Sequence, residues 1–147
     1  RNNINFFYLA DLVSLVAPIG LFLGRLANFI NVELFGRVTD FPLAIIYPSI
    51  DNQPRHPSQL YEAFLEGIVL FFILQIIFTK NYSNKIYGYI SSLFLLFYGL
   101  FRFFVEFLRE PDDHMGLFFD LFSMGQILSL PLIVIGIFIL LKIKNNA

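Results

Sequence analysis

Hydrophobic residues run along this chain in four long stretches, and the polar residues gather near one end of each. The first stretch spans roughly Phe6 to Ile30, the second Ser58 to Thr79, the third Ile86 to Leu108 and the fourth Leu121 to Leu141. Each is close to the ~20 residues of helix needed to cross a bilayer. The pattern predicts an all-α, polytopic membrane protein with about four transmembrane helices, forming a single integral-membrane domain over 1–147. Pro18 and Pro131 fall inside the first and fourth stretches. They read as kinks, because neighbouring helices can re-satisfy the backbone they disrupt.

The links orient the bundle. The lysines lie at two places only, Lys80 and Lys85 in the second link and Lys142 and Lys144 in the tail. Asp40 and Asp51 fall in the first link, and Glu110, Asp112, Asp113 and Asp120 in the third. By the positive-inside rule the lysine side is cytoplasmic and the first and third links face outward. Residues 32–57 form a long, proline-rich outward loop or arm. Its apolar run Phe41 to Tyr47 predicts contact with the membrane or the bundle. Arg55-His56-Pro57-Ser58-Gln59 reads as a helix start, with Pro57 at the first helical position and Gln59 as a capping partner.

With that topology, polar residues from three helices reach one depth. Arg25, Asn28 and Glu33 close the first helix. Gln59, Glu62 and Glu66 open the second. Tyr98, Arg102, Glu106 and Arg109 form one stripe on the third. At about 1.5 Å per residue, Arg102 is expected some 10 Å inside its helix end. Ionisable groups at bilayer depth mark function by default, and paired guanidiniums suit a phosphate. At an outer leaflet that phosphate belongs to a phospholipid headgroup. The plainer alternative is a lattice joining helices, Arg102 with Glu106 and Arg25 with Glu33 or Glu62. The two readings are compatible.

Composition narrows the field. Hydrophobic residues make up 57% and charged residues 14%, with a mean hydropathy of +0.71. A net charge of −1 excludes a strongly basic nucleic-acid footprint. The absence of cysteine removes disulfides, thiolate metal sites and a cysteine nucleophile. His56 reads as a cap or loop residue or as a base, and His114 as a solvated loop residue; two histidines on different links make no metal site. The chain begins at Arg1 without a signal-peptide pattern, and reads as the C-terminal portion of something longer.

Three blocks carry a resemblance. They are Gly24-Arg25-Leu26-Ala27-Asn28-Phe29-Ile30-Asn31-Val32-Glu33-Leu34-Phe35-Gly36-Arg37, Arg55-His56-Pro57-Ser58-Gln59-Leu60-Tyr61-Glu62, and Tyr98 to Arg109 followed by Glu110-Pro111-Asp112. Together they resemble the bacterial prolipoprotein diacylglyceryl transferase family. The resemblance implies transfer of a diacylglyceryl group from phosphatidylglycerol to the lipobox cysteine of a prolipoprotein signal peptide, with glycerol phosphate released. It implies a multi-pass protein of the bacterial inner membrane whose site faces the outer leaflet and periplasm, without metal or organic cofactor. It makes Arg25 and Arg102 the phosphate ligands and places Asn28, Glu33, Gly36, Tyr98 and Glu106 in or near the site. Candidate catalytic residues are thus Arg25, Arg102, Glu106 and, as a substitute base, His56. Candidate substrate-binding residues are Arg25, Asn28, Glu33, Gly36, Tyr98 and Arg102. The family's His-Gly-Gly type motif and an upstream tyrosine are absent from this sequence, and only four of its roughly seven spans are present. The competing expectations are an inactive fragment that only binds lipid, and a small transporter.

Overall fold

The computed structural model describes residues 5–81, 86–110 and 122–146. The expectations for Arg1, Lys85, Asp112, Asp113, His114 and Asp120 lie outside the described residues. Helix α1 spans Phe6–Ile30 and runs on through Pro18; Asn5 caps it by accepting from the Phe7 N–H at 2.8 Å. The second span is composite: α2 (Ser58–Glu62), a π-helical stretch (Ala63–Val69) and α3 (Leu70–Asn81). Helix α4 covers Tyr89–Val105 and α5 covers Met124–Asn146, continuous through Pro131. Strands β1 (Ile45–Ile46) and β2 (Pro54–Arg55) pair antiparallel within the arm.

Three spans, Phe6–Ile30, Ser58–Lys80 and Met124–Asn145, are long and apolar enough to cross a membrane. The fourth helix, α4, is apolar but has 17 residues, at the lower end of the usual range. The chain is therefore an all-α membrane protein, as the hydrophobic pattern predicted. One boundary differs. Helix α4 stops at Val105, not Leu108, so Arg102 lies in its last turn, about 5 Å from the end. Glu106 is the C-cap residue, and Arg109 lies beyond the helix. The stripe Tyr98-Arg102-Glu106-Arg109 therefore leaves the helix at its C-terminal end. A guanidinium in a last turn also suits the negative end of the helix dipole.

The bundle is apolar inside one half and polar inside the other. Leu15, Leu70, Leu74, Ile90 and Leu93 form the buried apolar cluster, with Tyr98 and Phe101 packed on its edge. Helices α4 and α5 approach closely because small residues meet there. A methyl on Gly99 would lie 2.8 Å from Ile133 Cγ1, and one on Gly136 would lie 2.8 Å from the Ser92 carbonyl. Small residues are the usual means of close helix contact in lipid, where no hydrophobic effect draws helices together. The exposed faces carry Leu12, Val13, Val16, Leu23, Leu128, Val134 and Phe138, as lipid solvation requires.

One buried charge escaped the sequence reading. Asp11 of α1 accepts from the N–H groups of Gly88 and Ser91, both at 2.7 Å. A residue of one helix thus caps the start of another, where Gly88 (φ 88°) enters in the left-handed region. Asp11→Ala is expected to lower stability by about 1–3 kcal/mol, because two buried donors lose their acceptor. Thermal unfolding in detergent measures this, and Asp11→Asn should recover part of the loss.

Candidate functional site

The end of α1, the start of α2 and the end of α4 are bound together by one extended strip, Phe35 to Thr39. On one side Gly36 N–H donates to the His56 carbonyl (2.9 Å), His56 N–H donates to the Arg37 carbonyl (3.0 Å), and Thr39 N–H to that of Pro54 (2.9 Å). On the other side Arg37 N–H donates to the Leu108 carbonyl (2.9 Å) and Glu110 N–H to that of Phe35 (3.2 Å). Gly36 sits where both neighbours close in. A methyl there would meet the His56 carbonyl oxygen, and would lie 2.7 Å from that of Leu108. Gly36 is thus required by backbone crowding.

The chain reaches this strip under strain. Val32 (φ 59°) and Leu34 (φ 55°) occupy the left-handed region, which a β-branched residue rarely does. Each such residue costs about 1–3 kcal/mol and persists where surrounding contacts over-determine it. Those contacts come from the start of α2. Buried Gln59 donates to the Glu33 carbonyl (2.6 Å) and buried Ser58 to the Leu34 carbonyl (2.8 Å). Gln59 is therefore not a helix cap, and Pro57 occupies the N-cap position, not the first helical one. The Glu33 side chain is exposed, and Arg25 pairs elsewhere.

Arg55 staples the arm. It pairs with Asp51 (2.6 Å) and Glu110 (3.2 Å), donates to the Gly36 carbonyl (3.1 Å) and lies 5.0 Å from the Phe35 ring centre. Hydrogen bonds from Arg55 hold the Asp51 carboxyl below its ordinary 3.8. A depressed folded value means the stabilisation is complete above the unfolded value and is lost as pH falls through the folded one. Digestion of the arm by pepsin should therefore accelerate as pH drops below about 3.8. Asp51→Asn should cut faster at the upper end of the range, converge with the parent as pH falls and so show a flatter profile.

Beneath the strip lies the lattice of charges. Glu62 bridges both arginines. Its Oε2 is 2.9 Å from Arg25 Nε, and its Oε1 accepts from Arg102 Nη1. Arg25 Nη2 also donates to Glu66 Oε2 (3.3 Å), and Arg102 Nη2 lies 3.0 Å from Glu106 Oε2. Arg109 reaches Glu106 at 3.9 Å. Three guanidiniums face three carboxylates, so the formal charge of the group is zero. Glu62 and Glu66 stand four apart across the start of the π-helical stretch; such stretches are frequent at functional sites. Glu66 Oε1 is buried without a hydrogen-bond partner among the described residues.

Exposure orders the group. The Glu62 and Glu66 side chains are 0% exposed, whereas those of Arg25 and Arg102 are 15% and 13% exposed. The carboxylates lie behind and the guanidiniums in front. Arg25 Nη1 and Arg102 Nε make no hydrogen bond among the described residues, and neither does the half-buried side chain of Asn28, one turn beyond Arg25. Tyr98 stacks on Phe94 (5.7 Å between ring centres), within electrostatic reach of Glu66, Arg25, Arg102 and Glu62.

The structure therefore brings Arg25, Arg102, Glu106 and Tyr98 together, with Asn28 beside Arg25. Gly36 belongs to the overlying strip, and Glu33 to the turn that leads into it, each through its backbone. His56 is separate: its Nδ1 is 3.3 Å from the Tyr61 hydroxyl, and its ring lies 5.8 Å from that of Phe41. Glu62 and Glu66 carry more of the site than the sequence reading assigned them. Two glutamates at i, i+4 inside an otherwise apolar span were the available signal.

The sequence matches the family model of prolipoprotein diacylglyceryl transferases over residues 1–142. A phosphatidylglycerol–prolipoprotein diacylglyceryl transferase from Aeromonas hydrophila is 57% identical over 136 residues, 92% of this chain and 48% of that protein. Its counterpart from Rickettsia bellii is 53% identical over 142 residues, 97% of this chain and 54% of that protein. The one from Vibrio campbellii is 57% identical over 137 residues, 93% and 49% respectively. The chain spans about half the length of the curated relatives it matches.

Proposed function

The chain belongs to the prolipoprotein diacylglyceryl transferase family, and on that premise we propose that it supplies the phosphate-binding part of an active site. The reaction joins the diacylglyceryl group of phosphatidylglycerol to a prolipoprotein cysteine. The sulfur of the lipobox thiolate attacks the terminal glyceryl carbon. The carbon–oxygen bond to phosphate breaks, glycerol phosphate departs with that electron pair, and a thioether remains.

One observation carries the reading: two guanidiniums from facing helices are held by a shared, fully buried glutamate and present their unused N–H groups in front of it. Arg25 Nη1 and Arg102 Nε are the donors this reading gives to the lipid phosphate. Negative charge grows on the leaving phosphate as the bond breaks. Donors fixed before the reaction stabilise it without reorganisation, and in a water-poor site each is worth most. Asn28 takes a headgroup oxygen, Tyr98 walls the site, and Glu106 fixes Arg102. Gly36 acts through the backbone of the strip, and Glu33 through that of the turn that leads into it. His56, tied to Tyr61, has no chemical role here. Residues 32–57 form the outward arm of a multi-pass inner-membrane protein, and the site opens toward the outer leaflet.

Among the described residues, the paired serines of the inner half offer no open polar lining. Ser91 and Ser92 bond carbonyls of their own helix, at 3.2 and 2.7 Å, between apolar side chains of the buried cluster. The test is to incubate the full-length protein with phosphatidylglycerol vesicles and a lipobox-cysteine peptide. The expected result is a peptide heavier by one diacylglyceryl group, with glycerol phosphate released in equal amount. Lipid that binds and stays intact would replace the reading with a lipid-binding bundle.

A further inference from the structure

The start of α5 bears on the lattice in a way that neither the motif blocks nor the reading above includes. Ser123 and Gln126 form a reciprocal cap there. Gln126 N–H donates to Ser123 Oγ (3.2 Å), and Ser123 N–H donates to Gln126 Oε1 (3.0 Å). This is a capping box with glutamine at its third position, and both residues are buried. Between them lies Gly125. A methyl added to it would lie 2.5 Å from Glu106 Cδ and 2.6 Å from each carboxylate oxygen. The carboxylate of Glu106 thus rests flat on the bare α-carbon of α5's first turn, at the helix end that favours negative charge.

We propose that Gly125 is a positioning residue for phosphate recognition: the capped first turn of α5 is a seat for the Glu106 carboxylate, and through it orients Arg102. The inference rests on the transferase reading. The geometry offers Glu106 three restraints among the described residues: the α5 seat, Arg102 at 3.0 Å and Arg109 at 3.9 Å. Glu106 is the C-cap of a finished helix, so its backbone alone holds the side chain loosely. Only glycine leaves room for the seat. The atoms a methyl would strike are the far end of a side chain, so Gly125→Ala moves the carboxylate out of its present alignment with Arg102 and leaves the bundle intact. Alanine is also the better helix former.

The test uses the full-length protein with phosphatidylglycerol vesicles and a lipobox-cysteine peptide. Gly125→Ala should lower kcat by roughly 10- to 100-fold, the scale of an ångström misplacement at a reacting centre, with an unfolding midpoint no lower than the parent's. Glu106→Asp withdraws the carboxylate by one methylene. Adding Gly125→Ala to Glu106→Asp should therefore cost almost nothing further, since the methyl now fills vacated space. Full activity in Gly125→Ala, or losses that multiply in the double variant, would overturn the inference. The same cycle read as unfolding midpoints needs no turnover. If the parent does not convert the peptide, the transferase reading fails by itself; additive midpoints would then also remove the seat, and coupled midpoints would retain it.

Discussion

Replacing Arg102 with alanine in the full-length protein is expected to cut diacylglyceryl transfer by at least roughly 10²–10³-fold, the usual loss when a fixed donor to a developing anion is removed. Arg102 emerges from the last turn of α4 with two N–H groups committed, Nη1 to Glu62 and Nη2 beside Glu106. Its Nε N–H is a donor that no described residue accepts from. Deletion removes that donor and also leaves Glu62 and Glu106 short of positive charge. Arg102→Lys separates the two effects. Lysine restores the charge but cannot fork between two carboxylates and still face a third anion. It should fold better than the alanine variant and remain badly impaired. Phosphatidylglycerol turnover and peptide mass are the measurements. Unchanged conversion in both variants would remove Arg102 from the reaction.

The second large effect is expected at Glu62. This carboxylate is fully buried and touches both arginines. Glu62→Gln keeps the shape and removes the charge, so two guanidiniums lose their common counter-ion. Breaking a buried pair from one side costs about 3–5 kcal/mol, chiefly because the surviving charge stays buried. The unfolding midpoint in detergent should fall sharply and transfer should fall with it. Glu66→Gln should be milder, since among the described residues Glu66 forms an ion pair with Arg25 alone, at 3.3 Å. A Glu62→Gln protein as stable and active as its parent would show that the bridge is incidental. A greater loss at Glu66 would move the centre of the lattice from α2 into the π-helical stretch.

The sequence was most legible where the bilayer acts as solvent. Span α1 was expected at Phe6 to Ile30 and observed there, because twenty-odd apolar residues have few ways to satisfy their backbone in lipid. The gathering of Arg25, Glu62, Arg102 and Glu106 at one end followed from alternating the spans. Boundaries were less legible. Leu108 looked helical by composition, yet α4 ends at Val105 because the Leu108 carbonyl and the Glu110 N–H are drawn into the strip with Arg37 and Phe35. Of the two partners expected for Arg25, Glu62 is the one observed and Glu33 is not. The chain turns through left-handed Val32 and Leu34, which leaves the Glu33 side chain exposed.

By itself, then, the order of residues determined the class of fold, the number and approximate place of the apolar spans, and which charges had to share a depth. These depend on local hydrophobicity and on helical rise, which each stretch carries within itself. Only the tertiary structure decided that both arginines share Glu62 and that Arg25 also takes Glu66 and not Glu33. That choice depends on the rotation of four helices about their axes, on a π-helical stretch between Glu62 and Leu70, and on contacts such as Asp11 with Gly88 and Glu106 with Gly125. Such pairings arise between segments far apart in sequence, and no periodicity within one segment encodes them.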